Sequence, residues 1–150
     1  MIRIYTDGAA SGNPGPGGYG VVLKYKDAVK ELSAGYRLTT NNRMELLAVI
    51  TGLEAITKPG IAITVYSDSK YVVDAIEKKW VWGWQTKNFK DKANKDLWLR
   101  YLPLHARLNP KYVWIRGHAG HPENERCDQL AVRASQGYDL PADVGYESQK

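Results

Sequence analysis

The sequence has very little cysteine and phenylalanine, and it has no long apolar run. Its 150 residues include one cysteine, Cys127, and one phenylalanine, Phe89. A single cysteine excludes an internal disulfide and a multi-cysteine zinc site, and it suits a reducing compartment. No stretch approaches the roughly 18 apolar residues of a membrane span, and the start of the chain, with Asp7 already present, lacks a signal-peptide layout. We therefore expect a cytoplasmic protein without a membrane partner.

Several common ligand-binding motifs are also absent or out of context. There is no GK[ST] segment, which excludes a P-loop. Residues 15–20 match GxGxxG in letters, but they precede a predicted strand instead of opening a helix, so they do not predict a dinucleotide site. His118 and His121 could form a zinc pair, but Cys127 is the only soft ligand nearby, which argues against zinc.

Basic charge is what the sequence does have, and it is concentrated in one segment. The chain carries 21 Lys and Arg against 16 Asp and Glu, a net charge of +5. Residues 77–95 contain six lysines and two acidic residues, together with Trp80, Trp82 and Trp84. Lysines interleaved with aromatic rings favour a nucleic-acid contact, because ammonium groups neutralise phosphates and rings pack on sugars or bases. The alternative is a helix pair with core tryptophans and solvated lysines.

Hydrophobic periodicity predicts an α/β domain. After the first strand comes a turn-rich loop over 8–18, and the helix over 96–107 contains Pro103, which we expect to limit or kink it. Three early strands followed by alternating helices and strands favour a mixed sheet. The predicted strands cover 2–6, 19–25, 31–37, 61–66 and 111–116, and the predicted helices cover 42–58, 70–79, 96–107 and 122–135.

Four carboxylates lie on four different predicted elements. Asp7 and Asp68 follow two strands, and they meet at one sheet edge if those strands are parallel neighbours. Glu45 falls on the apolar stripe of its helix and points toward buried surface, and Asp128 lies at the edge of the apolar stripe of another helix. Each also has an ordinary interpretation: a turn, a helix cap, a capping box with Asn42, and a solvated helix face. Four converging carboxylates would repel one another without a cation, and oxygen-only ligands indicate Mg²⁺ or Mn²⁺.

The order of motifs resembles ribonuclease H of the bacterial type 1 class. The matching blocks run from about residue 2 to residue 136; they are TDG at 6–8, GNPGPGGYG at 12–20, TTNNRMEL at 39–46, SDS at 67–69, NKDLW at 94–98 and GHAGHPENERCDQLA at 117–131. The resemblance implies a five-stranded mixed sheet in the order 3-2-1-4-5 with helices on both faces. It also implies a catalytic domain over 1–136, followed by a partly flexible tail over 137–150.

The activity implied by this resemblance is cleavage of the RNA strand of RNA–DNA hybrids, giving 5′-phosphate and 3′-hydroxyl ends. Asp7 would bridge two Mg²⁺ ions, which Mn²⁺ can replace. Asp128 would join Asp7 on the ion that activates water, and Glu45 and Asp68 would hold the other ion. His118 matches the family histidine associated with product departure or proton transfer.

The resemblance also assigns residues to the substrate. Gly12, Asn13 and Asn41 match positions that touch the RNA strand, and Thr40 and Asn94 match a pocket for a DNA phosphate. Where the family often has arginine before this pocket the chain has Leu38, which puts the pocket's strength in question. The segment 77–95 matches a basic protrusion that grips the DNA strand. The remaining predicted contacts are Lys70, Trp80, Trp84, Lys87 and Lys90. A monomer is expected from the resemblance alone.

Two other functions are compatible with parts of this pattern. A DNA endonuclease of the same fold, of resolvase or transposase type, would also need the carboxylates. A non-catalytic nucleic-acid binder would not need the carboxylates. Acidic groups at its binding face would repel the phosphates of the nucleic acid. The carboxylates therefore argue against the binder.

Overall fold

A computed structural model describes residues 1–58, 60–116 and 121–148. Within these residues, the strands and helices alternate as in an α/β domain. The strands are β1 Ile2–Ala10, β2 Gly15–Tyr25, β3 Ala28–Thr39, β4 Ile63–Ser67 and β5 Lys111–Trp114. The helices are α1 Asn41–Glu54, α2 Lys70–Glu77, α3 Trp80–Thr86, α4 Lys95–Leu108, α5 Pro122–Ser135 and α6 Val144–Glu147.

The five strands form one mixed sheet in the order β3-β2-β1-β4-β5, which confirms the predicted topology. β2 is antiparallel to both β1 and β3, whereas β1–β4 and β4–β5 are parallel pairs. Parallel pairing places the carboxyl ends of β1, β4 and β5 along one edge of the sheet. Functional groups that follow these strands therefore share that edge.

The prediction of a loop over 8–18 was wrong at both of its ends. β1 continues to Ala10 and β2 begins at Gly15, with Ala10 opposite Gly17 in the antiparallel ladder. The glycines that indicated a turn are needed here for close packing. A Cβ on Gly18 would lie 2.6 Å from the backbone oxygen of Ala131 in α5. Glycine in a strand can thus mark a close approach of another backbone.

Helices cover both faces of the sheet. The main hydrophobic core lies between the sheet and α1, with α2 and α4 contributing to it, and the fully buried Trp98 is its largest side chain. A smaller cluster on the other face contains Tyr5, Val22 and Cys127. α5 lies directly on the sheet there, since a Cβ on Gly20 would be 2.2 Å from the backbone oxygen of Cys127. In the described ranges, no helix has the length and apolarity needed to cross a membrane.

The basic segment forms its own helix and turns between α2 and α4. α2 ends at Glu77, earlier than predicted, and Lys79 has a positive φ of 61° that separates it from α3. Val81 and Phe89 are buried and anchor the segment to the main core, while five of its six lysines are exposed. α4 continues through Pro103 to Leu108, so this proline does not end the helix.

The segment after α5 is tied to the domain by a buried ion pair. Asp143, in the predicted tail, is 6% exposed and accepts a 2.8 Å hydrogen bond from Nε of Arg43 in α1. The Arg43 side chain also binds Asp96 at the start of α4, at 2.8 Å. One buried guanidinium therefore joins α1, α4 and the residues just before α6.

Candidate active site

Three of the predicted carboxylates converge at the carboxyl edge of β1 and β4. Tyr5 of β1 lies opposite Tyr66 of β4, the last parallel pair of these two strands. Asp7 does not follow its strand as predicted but lies within β1, opposite Gly20 of β2, whereas Asp68 directly follows β4, so the two aspartates lie side by side where the strands part. Glu45 approaches them from the second turn of α1. One carboxylate oxygen from each of these three residues lies within 4.8 Å of the others.

Close packing of α1 on β1 explains how Glu45 reaches this edge. A Cβ on Gly8 would lie 2.4 Å from the backbone nitrogen of Glu45, so only glycine permits this approach. The N–H of Gly8 also donates a 2.9 Å hydrogen bond to Oδ1 of Asp7. Thr40 caps α1 by accepting a 3.2 Å hydrogen bond from the N–H of Arg43, which fixes the start of the helix. Gly8 and the Thr40 cap therefore position the carboxylates of Asp7 and Glu45.

Asp7, Glu45 and Asp68 lie too close together for all three to be ionised without a cation to offset their repulsion. Glu45 is only 5% exposed, and burial together with the negative charges of Asp7 and Asp68 raises its pKa well above its ordinary value. Its Oε1 is buried and accepts no hydrogen bond within the described residues. A divalent cation would offset the repulsion among the three carboxylates and give Oε1 of Glu45 a partner. Three carboxylate oxygens form a ligand set that fits Mg²⁺ or Mn²⁺.

The fourth carboxylate and the predicted histidine stand apart from this group. Asp128 is half-buried on α5, next to Cys127, whose thiol donates a 3.1 Å hydrogen bond to the carbonyl of Tyr5. Asp128 is not part of the group formed by Asp7, Glu45 and Asp68, whose carboxylate oxygens lie within 4.8 Å of one another. His118 lies at 117–120, outside the described residues. The roles of both residues remain predictions.

Asn124 is a buried polar residue that the sequence analysis did not single out. Only 2% of it is exposed, and its Nδ2 donates a 3.5 Å hydrogen bond to the carbonyl of Thr6, the residue before Asp7. It therefore links the first turn of α5 to the middle of β1, next to Asp7. Asparagine inside a Glu-rich helix start has no periodic signal, so its burial could not be predicted from the sequence.

The residues predicted to touch the RNA strand lie beside α1. Oδ1 of Asn13 accepts a 3.0 Å hydrogen bond from the N–H of Asn41, which connects the β1–β2 turn to the start of α1. Gly12 and Asn13 are exposed, and Gly12 has a positive φ of 78°, a conformation that favours glycine. The turn thus presents backbone and a short amide to solvent. Contact with RNA remains a prediction for all three residues.

Asn94 of the predicted phosphate pocket already has partners inside the protein. Its Nδ2 donates a 3.1 Å hydrogen bond to the hydroxyl of Tyr71, and its Oδ1 accepts one of 3.3 Å from Arg43. Only 6% of Asn94 is exposed. The Asn94 side chain therefore has a structural role in connecting Arg43 with Tyr71, and its contact with a phosphate stays a prediction.

The basic segment combines the two interpretations offered for it. Trp80 is 45% exposed, with the ammonium of Lys78 over its ring, whereas Trp84 packs edge-on against the core residue Trp98. Trp82 is half-buried and packs against His105 of α4. The tryptophans thus range from solvent-facing to core-facing. A cleft of about 820 Å³ opens among basic and aromatic residues, which include Lys79, Trp80, Trp84, Lys87, Lys90 and Lys92.

Comparison with known proteins agrees with the sheet topology. The profile of the RNase H family matches residues 1–136. The chain belongs to the RNase H family. The chain is 60% identical to a ribonuclease H of Desulforamulus reducens over 148 residues, which cover 95% of this chain and 92% of the relative. This membership confirms the predicted class of enzyme, a ribonuclease H that hydrolyses the RNA strand of RNA–DNA hybrids.

Two crystal structures extend the comparison to three dimensions. LC9-RNase H1, described as a type 1 RNase H with the type 2 active-site motif, matches with a TM-score of 0.80 and 32% identity, covering 99% of this chain and 79% of that one. LC11-RNase H1, solved in complex with an RNA/DNA hybrid, matches with a TM-score of 0.70 and 29% identity, covering 89% of this chain and 96% of that one. The ribonuclease H fold predicted from the motifs is therefore confirmed.

Proposed function

We propose that this ribonuclease H cleaves the RNA strand of RNA–DNA hybrids internally, with two Mg²⁺ ions at the carboxyl edge of the sheet. The convergence of Asp7, Glu45 and Asp68 within 4.8 Å is the observation that carries the proposal. In this proposal Asp7 would help to hold both ions, with Asp128 on the ion that activates water and with Glu45 and Asp68 on the other. Mn²⁺ can take the place of Mg²⁺, because both prefer carboxylate oxygens.

The chemistry follows from the type of groups present. Bound divalent ions lower the pKa of water and stabilise the charge that develops on the entering and leaving oxygens of an in-line displacement. Carboxylates hold such ions without delivering a proton or a competing nucleophile. Burial of Glu45 keeps its side chain at the edge of the core, and Gly8 fixes the distance between α1 and β1. His118 assists proton transfer or product departure in this proposal.

The proposed substrate lies across two surfaces of different charge. The RNA strand meets Gly12, Asn13 and Asn41, where short polar groups and backbone can read 2′-hydroxyls in a shallow minor groove. The DNA strand meets the pocket of Thr40 and Asn94 and the basic segment 77–95. Exposed lysines and the exposed Trp80 around the 820 Å³ cleft support this second contact. We further propose that the protein acts as a monomer in the cytoplasm.

Incubation with three matched duplexes tests the proposal. Hybrid, RNA duplex and DNA duplex of the same sequence are each incubated with Mg²⁺ and, in parallel, with a chelator. We expect cleavage of the RNA strand of the hybrid alone, only with Mg²⁺, and products with 5′-phosphate and 3′-hydroxyl ends. Cleavage of the DNA duplex or of a junction would favour the DNA endonuclease. Hybrid binding without any cleavage would favour the non-catalytic binder.

A further inference from the structure

Trp114, the last residue of β5, makes two contacts beside the carboxylates. Its indole Nε1 donates a 3.1 Å hydrogen bond to the backbone carbonyl of Asp68. The ammonium of Lys70 lies over the same ring, 4.8 Å from its centroid. Trp114 is 42% exposed, so core packing alone does not account for a tryptophan at this position.

We infer that Trp114 is a positioning residue for the active site, because it holds the main chain of Asp68 and keeps the Lys70 ammonium outside the carboxylate cluster. The inference rests on the proposed metal site. It adds a residue for which neither the motifs nor the family comparison supplies a role.

The first part of the inference concerns the backbone at Asp68. β4 ends at Ser67 and α2 begins at Lys70, so Asp68 lies in the short link between a strand and a helix. The carbonyl of Ser67 accepts a 2.9 Å hydrogen bond from the N–H of Ile115, which continues the β4–β5 contact to the end of the strand. The indole extends this contact by one residue, to the carbonyl of Asp68. Groups that orient a metal ligand in this way contribute to metal affinity.

The second part concerns the Lys70 side chain. Lys70 lies two residues after Asp68 and carries a long, flexible chain whose charge is opposite to that of the cluster. An ammonium that entered the cluster would neutralise the carboxylates and compete with a metal ion. The Trp114 ring offers another favourable position through a cation–π interaction. The ammonium then stays near the site and remains available to a phosphate of the substrate.

Calorimetric titration with Mg²⁺, in the absence of nucleic acid, tests both parts. Trp114→Phe keeps an aromatic ring for Lys70 but removes the N–H, and we expect the Kd for Mg²⁺ to rise about tenfold, the lower end for an outer-sphere partner. Trp114→Leu removes both contacts and should raise the Kd further. Adding Lys70→Met to Trp114→Leu should then lower the Kd about threefold, because the released ammonium is gone. Lys70→Met alone should change the Kd less than twofold.

Trp80→Phe is the matched control, because Trp80 is similarly exposed and also lies under a lysine, but on α3. Its Kd for Mg²⁺ should equal that of the wild type, and circular dichroism should show every variant folded. A Kd for folded Trp114→Phe within twofold of the wild type would overturn the backbone part. No recovery on adding Lys70→Met would overturn the ammonium part. Absence of Mg²⁺ binding by the wild type would overturn the proposed site itself, and the inference with it.

Discussion

Two buried charged clusters lie two residues apart on α1, and they are built in opposite ways. Arg43 is 1% exposed and is surrounded by opposite charge, with hydrogen bonds to Asp96 and Asp143 of 2.8–3.0 Å. Glu45 is 5% exposed and faces two further carboxylates. The first cluster is neutralised within the protein, whereas the second calls for a cation from outside. Burial of charge alone therefore does not mark a functional site, but uncompensated burial does.

The pKa shifts follow this difference. Burial lowers the pKa of Arg43, but hydrogen bonds to Asp96 and Asp143 more than offset it, so the pKa is raised and the charge is retained. The hydrogen bond from Arg43 is the main reason why the pKa of Asp96 is lowered. At Glu45, burial and neighbouring carboxylates act in the same direction and raise the pKa. Proton binding thus relieves the second cluster and would damage the first.

The largest effect is expected from Asp7→Asn, which removes one charge from the uncompensated cluster. We expect cleavage of the hybrid to fall by about 1,000-fold or more, because metal-ion stabilisation of the transition state is worth several kcal/mol and each 1.36 kcal/mol is tenfold in rate. Hybrid binding measured in chelator should be retained, since the substitution removes negative charge near phosphates. Single-turnover cleavage and fluorescence anisotropy measure the two quantities.

Asp74→Asn provides the matched control for this substitution. Asp74 is a half-buried aspartate of α2 that forms an i,i+4 ion pair with Lys78 at 3.8 Å. The same change of carboxylate to amide there should leave the cleavage rate unaltered. Substantial Mg²⁺-dependent cleavage by Asp7→Asn would remove Asp7 from the proposed metal ligands.

The next largest effect is expected from Arg43→Met, which breaks the compensated cluster. Asp143 would be left buried without its partner, and breaking a buried ion pair costs about 3–5 kcal/mol of the free energy of unfolding. Urea denaturation measures this loss. Arg100→Met is the control, because the exposed Arg100–Glu54 pair at 2.6 Å should contribute under about 1 kcal/mol. An equal decrease in the free energy of unfolding for the two variants would show that the buried Arg43 cluster stabilises the fold no more than an exposed ion pair does.

Sequence patterns predicted the sheet and the helices that carry the site. Ile2, Ile4 and Val65 are buried strand residues, and the apolar spacing of α1 placed Glu45 toward the core. Motif order then predicted the sheet topology and the enzyme class. The convergence of Asp7 with Asp68 follows from the parallel pairing of β1 with β4, and the positions of the motifs in the sequence already indicated this pairing.

Long-range contacts of single polar residues were not predictable. Arg43 meets Asp143, 100 positions away, and nothing local distinguishes Asp143 from the other acidic residues that follow α5. The Trp114 contact to Asp68 crosses 46 positions and depends on the β4–β5 register. The strand character of Gly15–Gly18 was also missed, because these glycines allow close packing, as Gly18 does against α5, and resemble a turn in the sequence. Such contacts depend on the assembled fold.

The smallest effect is expected from Glu45→Gln, and its sign should be opposite to that of Arg43→Met. Without metal, the neutral amide removes repulsion with Asp7 and Asp68. We expect the free energy of unfolding at neutral pH in chelator to rise by about 1 kcal/mol, or about 2–4 °C in Tm at this chain length. Urea and thermal denaturation measure the change. The exposed Glu77→Gln serves as control and should alter stability by less than about 0.5 kcal/mol.

The pH dependence of this difference separates electrostatics from packing. A raised pKa in the folded state means that the Glu45 contribution is fully present below the ordinary pKa of 4.5 and is lost as pH rises through the folded-state pKa. The stability gain of Glu45→Gln should therefore be small near pH 4 and grow toward neutral pH. Mg²⁺ should stabilise the wild type more than the variant, because a ligand that binds the folded state raises Tm by mass action. A gain that is independent of pH would assign it to packing, and the contrast with Arg43 would then lose its electrostatic basis.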